Sequence, residues 1–174
     1  MFQTTAQRLI WSLCLTVLIC AMAADAAGEE DSHSGSVGLS ASWQGNQSDI
    51  LLPLWISRQW VVIPSLSLVH VSEKATDVGV GLGLRLNRGT GRAIPYVGVR
   101  GGFLHRTPEA GEGTTDYLAG LMFGGECFLA DRFSVGVEAQ VNAVFSDVNS
   151  FMFGNPNGTN INTAAAVAAT FYFR

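Results

Sequence analysis

The chain has 174 residues, a formal net charge of -4 and 14% charged residues, with Lys74 as its only lysine. Because no basic stripe is present, the composition argues against a nucleic-acid-binding protein. The charged fraction is well under the roughly 25% of a typical soluble domain, which argues against a surface covered by water.

The N-terminal segment predicts a secretory signal peptide over residues 1–26. The apolar run Leu9–Met22 has roughly 14 residues, which is shorter than the about 20 that a membrane-spanning helix needs. Small residues follow this run and fit cleavage after Ala23 or Ala26.

The cysteines give two further expectations. Cys20 leaves a lipoprotein anchor open, although Ile19 stands where lipidation would require a small residue. After cleavage, Cys127 is the only cysteine left, so no disulfide within the chain is expected. No Cys/His pattern has metal-ligand spacing, and we expect no metal or other cofactor.

After an acidic lead-in (27–35), a single barrel domain is predicted over 36–174. The clearest strand alternates odd-numbered apolar residues with small or polar even-numbered ones, among them Glu138. Pro53 weakens the second strand because proline cannot donate a ladder hydrogen bond. The eight predicted strands are Ser36–Trp43, Ile50–Ser57, Trp60–Ser72, Asp77–Asn87, Ala93–Arg106, Asp116–Leu129, Phe133–Phe145 and Ile161–Arg174.

The predicted connections alternate in length. One set is short: Arg58–Gln59, Arg88–Arg92 and Ala130–Arg132. The other set contains the longer loops, although one member is short for its class: Gln44–Asp49, Glu73–Thr76, Thr107–Thr115 and Ser146–Asn160. Outer-membrane barrels have short periplasmic turns and longer outer loops, so both termini are expected on the periplasmic side.

These patterns predict an all-β fold, an eight-stranded antiparallel up-and-down transmembrane β-barrel preceded by a signal peptide. In hydrocarbon an unpaired backbone group costs several kcal/mol, so the first strand must close on the last. A barrel of eight strands has an interior that side chains can fill. The lumen is therefore expected to be packed and not to conduct.

Charged residues on the predicted inward faces form a candidate lumen cluster: Arg85, Arg100, Glu126 and Glu138. We expect these side chains to pair inside the barrel as structural ion pairs.

Aromatic residues at the strand ends are interpreted as interfacial girdles. Their members are Trp43, Trp60, Phe103, Tyr117, Phe133, Phe145, Phe171 and Phe173. Phe151 and Phe153 lie in the longest predicted loop. They form either an exposed contact surface or a pair folded back onto the barrel rim.

Three stretches carry a resemblance to a known family: Pro95–Gly98, Phe128–Ala139 and the aromatic C-terminal strand. They resemble small bacterial outer-membrane β-barrel proteins of the OmpA/OmpX-like superfamily. The resemblance implies the outer membrane of a Gram-negative-type bacterium, contact with its lipid and lipopolysaccharide, and recognition of a terminal aromatic residue by the barrel-assembly machinery. Arg174 follows Phe173 and shifts that signal by one residue. The resemblance implies no activity and identifies no extracellular partner.

The leading functional hypothesis is a non-enzymatic outer-membrane barrel that acts in envelope integrity or surface contact through its outer loops. A second hypothesis is a lipid-modifying barrel enzyme, for which His105, Asp116 and Ser146 are the conceivable catalytic residues near the outer rim. No nucleophile motif accompanies them. A third is a soluble periplasmic ligand-binding barrel with its apolar residues turned inward.

Overall fold

The computed structural model describes residues 34–45, 47–71, 75–89, 91–108 and 111–173. The predicted signal peptide (1–26) and most of the predicted lead-in (27–35) lie outside the described residues. No helix in the described part of the chain could span a membrane. Its strand segments are β1 (Val37–Gln44), β2 (Gln47–Leu51), β3 (Leu54–Trp55), β4 (Trp60–Val71), β5 (Ala75–Asn87), β6 (Ala93–Pro108), β7 (Thr114–Ala130), β8 (Phe133–Phe145) and β9 (Thr159–Phe173).

β2 and β3 are two parts of one strand. Their partners on β1 and β4 keep the same register on both sides of the gap. Across the gap, the Leu52 N–H donates to the Pro64 carbonyl at 2.9 Å, and the Pro53 carbonyl accepts from the Gly38 N–H at 2.7 Å. The gap arises because Pro53 has no N–H to donate. The nine segments therefore form eight strands.

The eight strands form a closed barrel. Each strand pairs antiparallel with its neighbour in sequence, and β9 returns to pair with β1 from Val37↔Phe173 to Trp43↔Val167. Closure leaves no open sheet edge. The predicted eight-stranded antiparallel up-and-down architecture is confirmed.

The connections define two ends of the barrel. At the short-turn end, residues 56–59, 88–92 and 131–132 join consecutive strands. At the long-loop end, the connections are 45–46, 72–74, 109–113 and 146–158. The predicted bounds of Phe133–Phe145 match β8.

The first connection differs from the prediction. Gln44–Asp49 was expected to be a loop, but Gln44 pairs directly with Gln47, and β2 begins at Gln47 instead of Ile50. Gly45 has a φ of 60°, the left-handed conformation that a tight hairpin turn requires. The polar residues Gln47 to Asp49 are part of β2, and the Asp49 side chain is buried in the lumen. The Gly-Asn dipeptide at positions 45 and 46 is itself a hairpin signal in the sequence, which the sequence interpretation missed.

The barrel has an apolar outside and a polar inside. Leu68 is 65% exposed and Leu82 is 57% exposed, whereas Asn142 and Gln140 are 2% and 3% exposed. A protein that folds in water has the opposite distribution of buried polar and exposed aliphatic side chains. The apolar interior expected under the soluble-barrel hypothesis is therefore not found along most of the lumen.

Apolar side chains do fill the lumen at the short-turn end. There Tyr172 stacks on Phe128 with ring centroids 5.5 Å apart, and Trp55 meets Tyr172 edge to face at 6.4 Å. We call the whole buried cluster the plug: Trp55, Val61, Ile63, Ile94, Phe128 and Tyr172. The plug lies at the short-turn end of the lumen.

Candidate functional site: the lumen and its long-loop mouth

A buried ion pair lies directly next to the plug. Arg85 Nη2 is 2.5 Å from Glu126 Oε2, and the two side chains are 8% and 4% exposed. The second carboxylate oxygen, Oε1, accepts hydrogen bonds from Ser134 Oγ at 2.5 Å and from Tyr172 Oη at 2.6 Å. These hydrogen bonds offset the cost of removing the carboxylate from water. A buried ion pair needs such additional hydrogen bonds in order to be stable.

The ion pair crosses β6, because Arg85 lies on β5 and Glu126 on β7. Gly98 of β6 pairs with Arg85 in the sheet. A Cβ at Gly98 would lie 2.5 Å from the Leu84 carbonyl oxygen and 3.1 Å from Arg85 Cα. The absence of a side chain at this position therefore permits the close approach of β5 and leaves the lumen open between the two charges.

Tyr96 and Tyr172 extend the network, although the candidate cluster omitted both. The Arg85 guanidinium lies over the Tyr96 ring, 4.3 Å from its centroid, a cation–π geometry. Tyr96 Oη donates to Glu138 Oε2 at 3.0 Å. Even-numbered residues face the lumen on both β6 and β9. This alternation could have identified Tyr96 and Tyr172 as lumen residues from the sequence.

Arg100 and Glu138 form no ion pair, so the expectation that the four charged side chains pair inside the barrel does not hold for these two. Glu138 accepts from Tyr96 Oη and, at 2.7 Å, from Gln140 Nε2. Among the described residues, no carboxylate lies within 4.0 Å of Arg100. Neutral donors satisfy Glu138 instead, Tyr96 from β6 and Gln140 from β8 itself. Of the four candidates, only Arg85 and Glu126 form an ion pair.

Cavities occupy the lumen above the plug. One of these cavities, about 110 Å³, lies at the long-loop end, and its lining includes Asp49, Ser67, Arg100, Asp116, Asn142 and Phe153. We call it the outer cavity. Two smaller cavities of about 50 Å³ each lie closer to the plug. No cluster of metal-ligating side chains is present in the described part of the chain.

Asp116 anchors the 146–158 loop to the barrel wall. It is 3% exposed, and its two carboxylate oxygens accept from the Asp147 N–H at 2.8 Å and from Ser150 Oγ at 2.7 Å. A second ion pair joins β5 and β6 at the same end, where Asp77 accepts two hydrogen bonds from Arg106, each at 2.7 Å. Sequence reasoning assigned neither role.

The residues of the enzyme hypothesis do not form a common site. His105 Nδ1 lies 2.9 Å from Thr115 Oγ1, while both oxygens of Asp116 are engaged by the loop. The Ser146 hydroxyl is buried without a partner among the described residues. No nucleophile–base–acid chain connects the three.

All eight aromatic girdle candidates have exposed side chains. Trp60, Phe133, Phe171 and Phe173 lie towards the short-turn end, and Trp43, Phe103, Tyr117 and Phe145 towards the long-loop end. Phe103, Tyr117 and Phe145 are neighbours in register across β6, β7 and β8. Contact of these two groups with lipid interfaces stays a prediction.

The two loop phenylalanines have different environments. Phe151 is 76% exposed, whereas Phe153 is partly buried and lines the outer cavity. Phe151 therefore fits the exposed contact surface, and Phe153 fits the alternative of a side chain folded back onto the barrel rim.

Solved structures supply the comparison with known proteins. The N-terminal β-barrel domain of OprF from Pseudomonas aeruginosa is 12% identical, has a TM-score of 0.59, and matches over 80% of this chain and 98% of that chain. The chain therefore shares the eight-stranded antiparallel barrel fold of this domain, which is the fold expected from its resemblance to OmpA/OmpX-like barrels. Neisserial surface protein A also resembles this barrel, with 12% identity, a TM-score of 0.54, and coverage of 79% of this chain and 94% of that chain. No protein-family model and no curated protein sequence matches the chain.

Proposed function

We propose that this protein is an integral outer-membrane β-barrel with a packed lumen, and that it acts through its long-loop end in surface contact or envelope integrity. The observation that carries the proposal is the inverted distribution of side chains around a closed barrel. Aliphatic residues cover the outside between two aromatic groups, and polar residues line the inside beyond the plug. This is the distribution of a barrel surrounded by lipid.

The plug and the ion pair together oppose ion passage through the lumen. The plug packs three aromatic rings across the lumen, and the Arg85–Glu126 pair lies against it. The cavities above the plug have volumes of about 50 Å³ to 110 Å³, room for a few water molecules each. Ions crossing the barrel would therefore have to displace buried rings and separate a buried ion pair.

Membrane extraction tests the location. We expect the chain to fractionate with outer membranes, to resist release by carbonate or high salt, and to change its electrophoretic mobility on heating in detergent. Release without detergent would contradict the proposal. A soluble periplasmic protein of the same host serves as the release control.

Planar-bilayer recording of the refolded protein tests the packed lumen. The unaltered chain should give no steady conductance steps, while Trp55→Ala combined with Phe128→Ala removes two rings of the plug and should give them. The double variant is the matched control, since it shows that the assay detects an opened barrel. Steady conductance from the unaltered chain would refute the packed lumen without affecting the proposed location.

A further inference from the structure

The 146–158 loop has a defined structure of its own. The Asn157 N–H donates to the Asp147 carbonyl at 3.0 Å, and the Ser146 N–H donates to the Gly158 carbonyl at 2.9 Å. Gly154 and Asn157 have φ angles of 75° and 55°. These bonds join the two halves of the loop, so it moves most easily as one body.

Two contacts hold this body against the barrel. Asp116 on β7 accepts from the Asp147 N–H and Ser150 Oγ, and both Asp116 and Ser150 are almost fully buried. At the other side of the loop, Asn160 Nδ2 donates to the Phe153 carbonyl. The Asp116 carboxylate is thus a charged acceptor at the centre of the attachment, and hydrogen bonds to charged groups are among the stronger ones.

The loop borders the outer cavity. Phe153 is the residue of this loop that lines the cavity, and Asp116 lines it from the wall. The same carboxylate therefore borders the cavity and holds the loop that supplies Phe153 to it.

We propose that the 146–158 loop is a latched cover of the outer cavity, with Asp116 as the latch and Phe153 as the covering side chain. Opening the latch admits water and small polar solutes to the chamber that contains Arg100, the guanidinium with no carboxylate partner among the described residues. Opening at this end leaves the plug in place, so the chamber exchanges with the long-loop side alone.

Thiol accessibility tests the cover in the full chain, purified in detergent. Ser67 lines the outer cavity and is 7% exposed, so Ser67→Cys in a Cys127→Ser background places a reporter beneath the loop. A small charged methanethiosulfonate is the probe. Val148→Cys, at a 62% exposed position of the same loop, gives the rate for an open site, and the chain without either new cysteine gives the background.

Asp116→Ala removes both hydrogen bonds of the latch, and we expect it to raise the labelling rate of the reporter by about tenfold or more. Ser150→Ala removes one bond and should give a smaller increase. Asp131→Ala alters an exposed carboxylate at the short-turn end and should leave the rate unchanged. Equal rates for Asp116→Ala and Asp131→Ala, in chains that keep the heat-dependent mobility shift, would overturn the latch.

Phe153→Ala keeps the Asp116 hydrogen bonds and removes the covering ring. It therefore tests the cover even if Asp116→Ala fails to fold. Faster labelling of the reporter in this variant supports the cover, and an unchanged rate refutes it. Labelling of the reporter as fast as Val148→Cys in the chain with an intact loop would also refute it. None of these outcomes depends on where the barrel resides in the cell.

Discussion

The two ends of the lumen contain ion pairs of opposite character. At the short-turn end, Arg85 and Glu126 are 8% and 4% exposed and lie against packed rings. At the long-loop end, Arg106 and Asp77 are 39% and 13% exposed and lie near a polar cavity. One barrel wall thus contains both a closed end and a solvent-exposed end, and the inward residues at each end account for the difference in exposure.

The largest expected effect is at the closed end. Glu126→Gln keeps the size of the side chain but leaves the Arg85 guanidinium buried without a counter-charge, and we expect a loss of about 3–5 kcal/mol in the free energy of unfolding. Urea titration of the refolded barrel, followed by its heat-dependent mobility shift, measures this loss. Replacing both members, as in Arg85→Met with Glu126→Leu, should be less damaging. If Glu126→Gln is as stable as the unaltered chain, the Arg85–Glu126 pair is hydrated and not buried.

A smaller effect tests how the closed end is assembled. Gly98→Ala places a methyl group 2.5 Å from the Leu84 carbonyl oxygen, so β5 and β6 must shift, and we expect a loss of about 1–3 kcal/mol. Gly101→Ala, on the same strand, is the matched control because the nearest atom to its Cβ is the Leu118 carbonyl oxygen at 3.5 Å. Equal unfolding midpoints for the two variants would contradict the close approach at Gly98.

The smallest effect is at the open end. Asp77→Ala removes both hydrogen bonds to Arg106, yet the exposed guanidinium is hydrated afterwards, so the loss should be about 0–1 kcal/mol. The same urea titration measures it beside Glu126→Gln. A loss as large as that of Glu126→Gln would mean that the two ends do not differ in hydration.

Much of the barrel wall was predictable because strand alternation is a local property. β8 has the bounds expected from its alternating residues, and the inward parity of β7 places Glu126 in the lumen. The predicted strand bounds were wrong where polar residues fit either a loop or the lumen face of a strand. Gln47 and Asp49 resemble a loop in the sequence, but they belong to a strand because the lumen is itself polar.

The sequence by itself determined the closed, eight-stranded wall and the face of each strand that meets the apolar surroundings, since both follow from a two-residue period and the spacing of turns. Three contacts could be identified only from the folded structure. Glu126 forms an ion pair with Arg85, Tyr96 donates a hydrogen bond to Glu138, and Asp116 accepts a hydrogen bond from Ser150 of the last loop. The physical reason is that contacts across a lumen depend on the stagger between strands and on the reach of side chains from strands that are not neighbours. No local pattern contains that information.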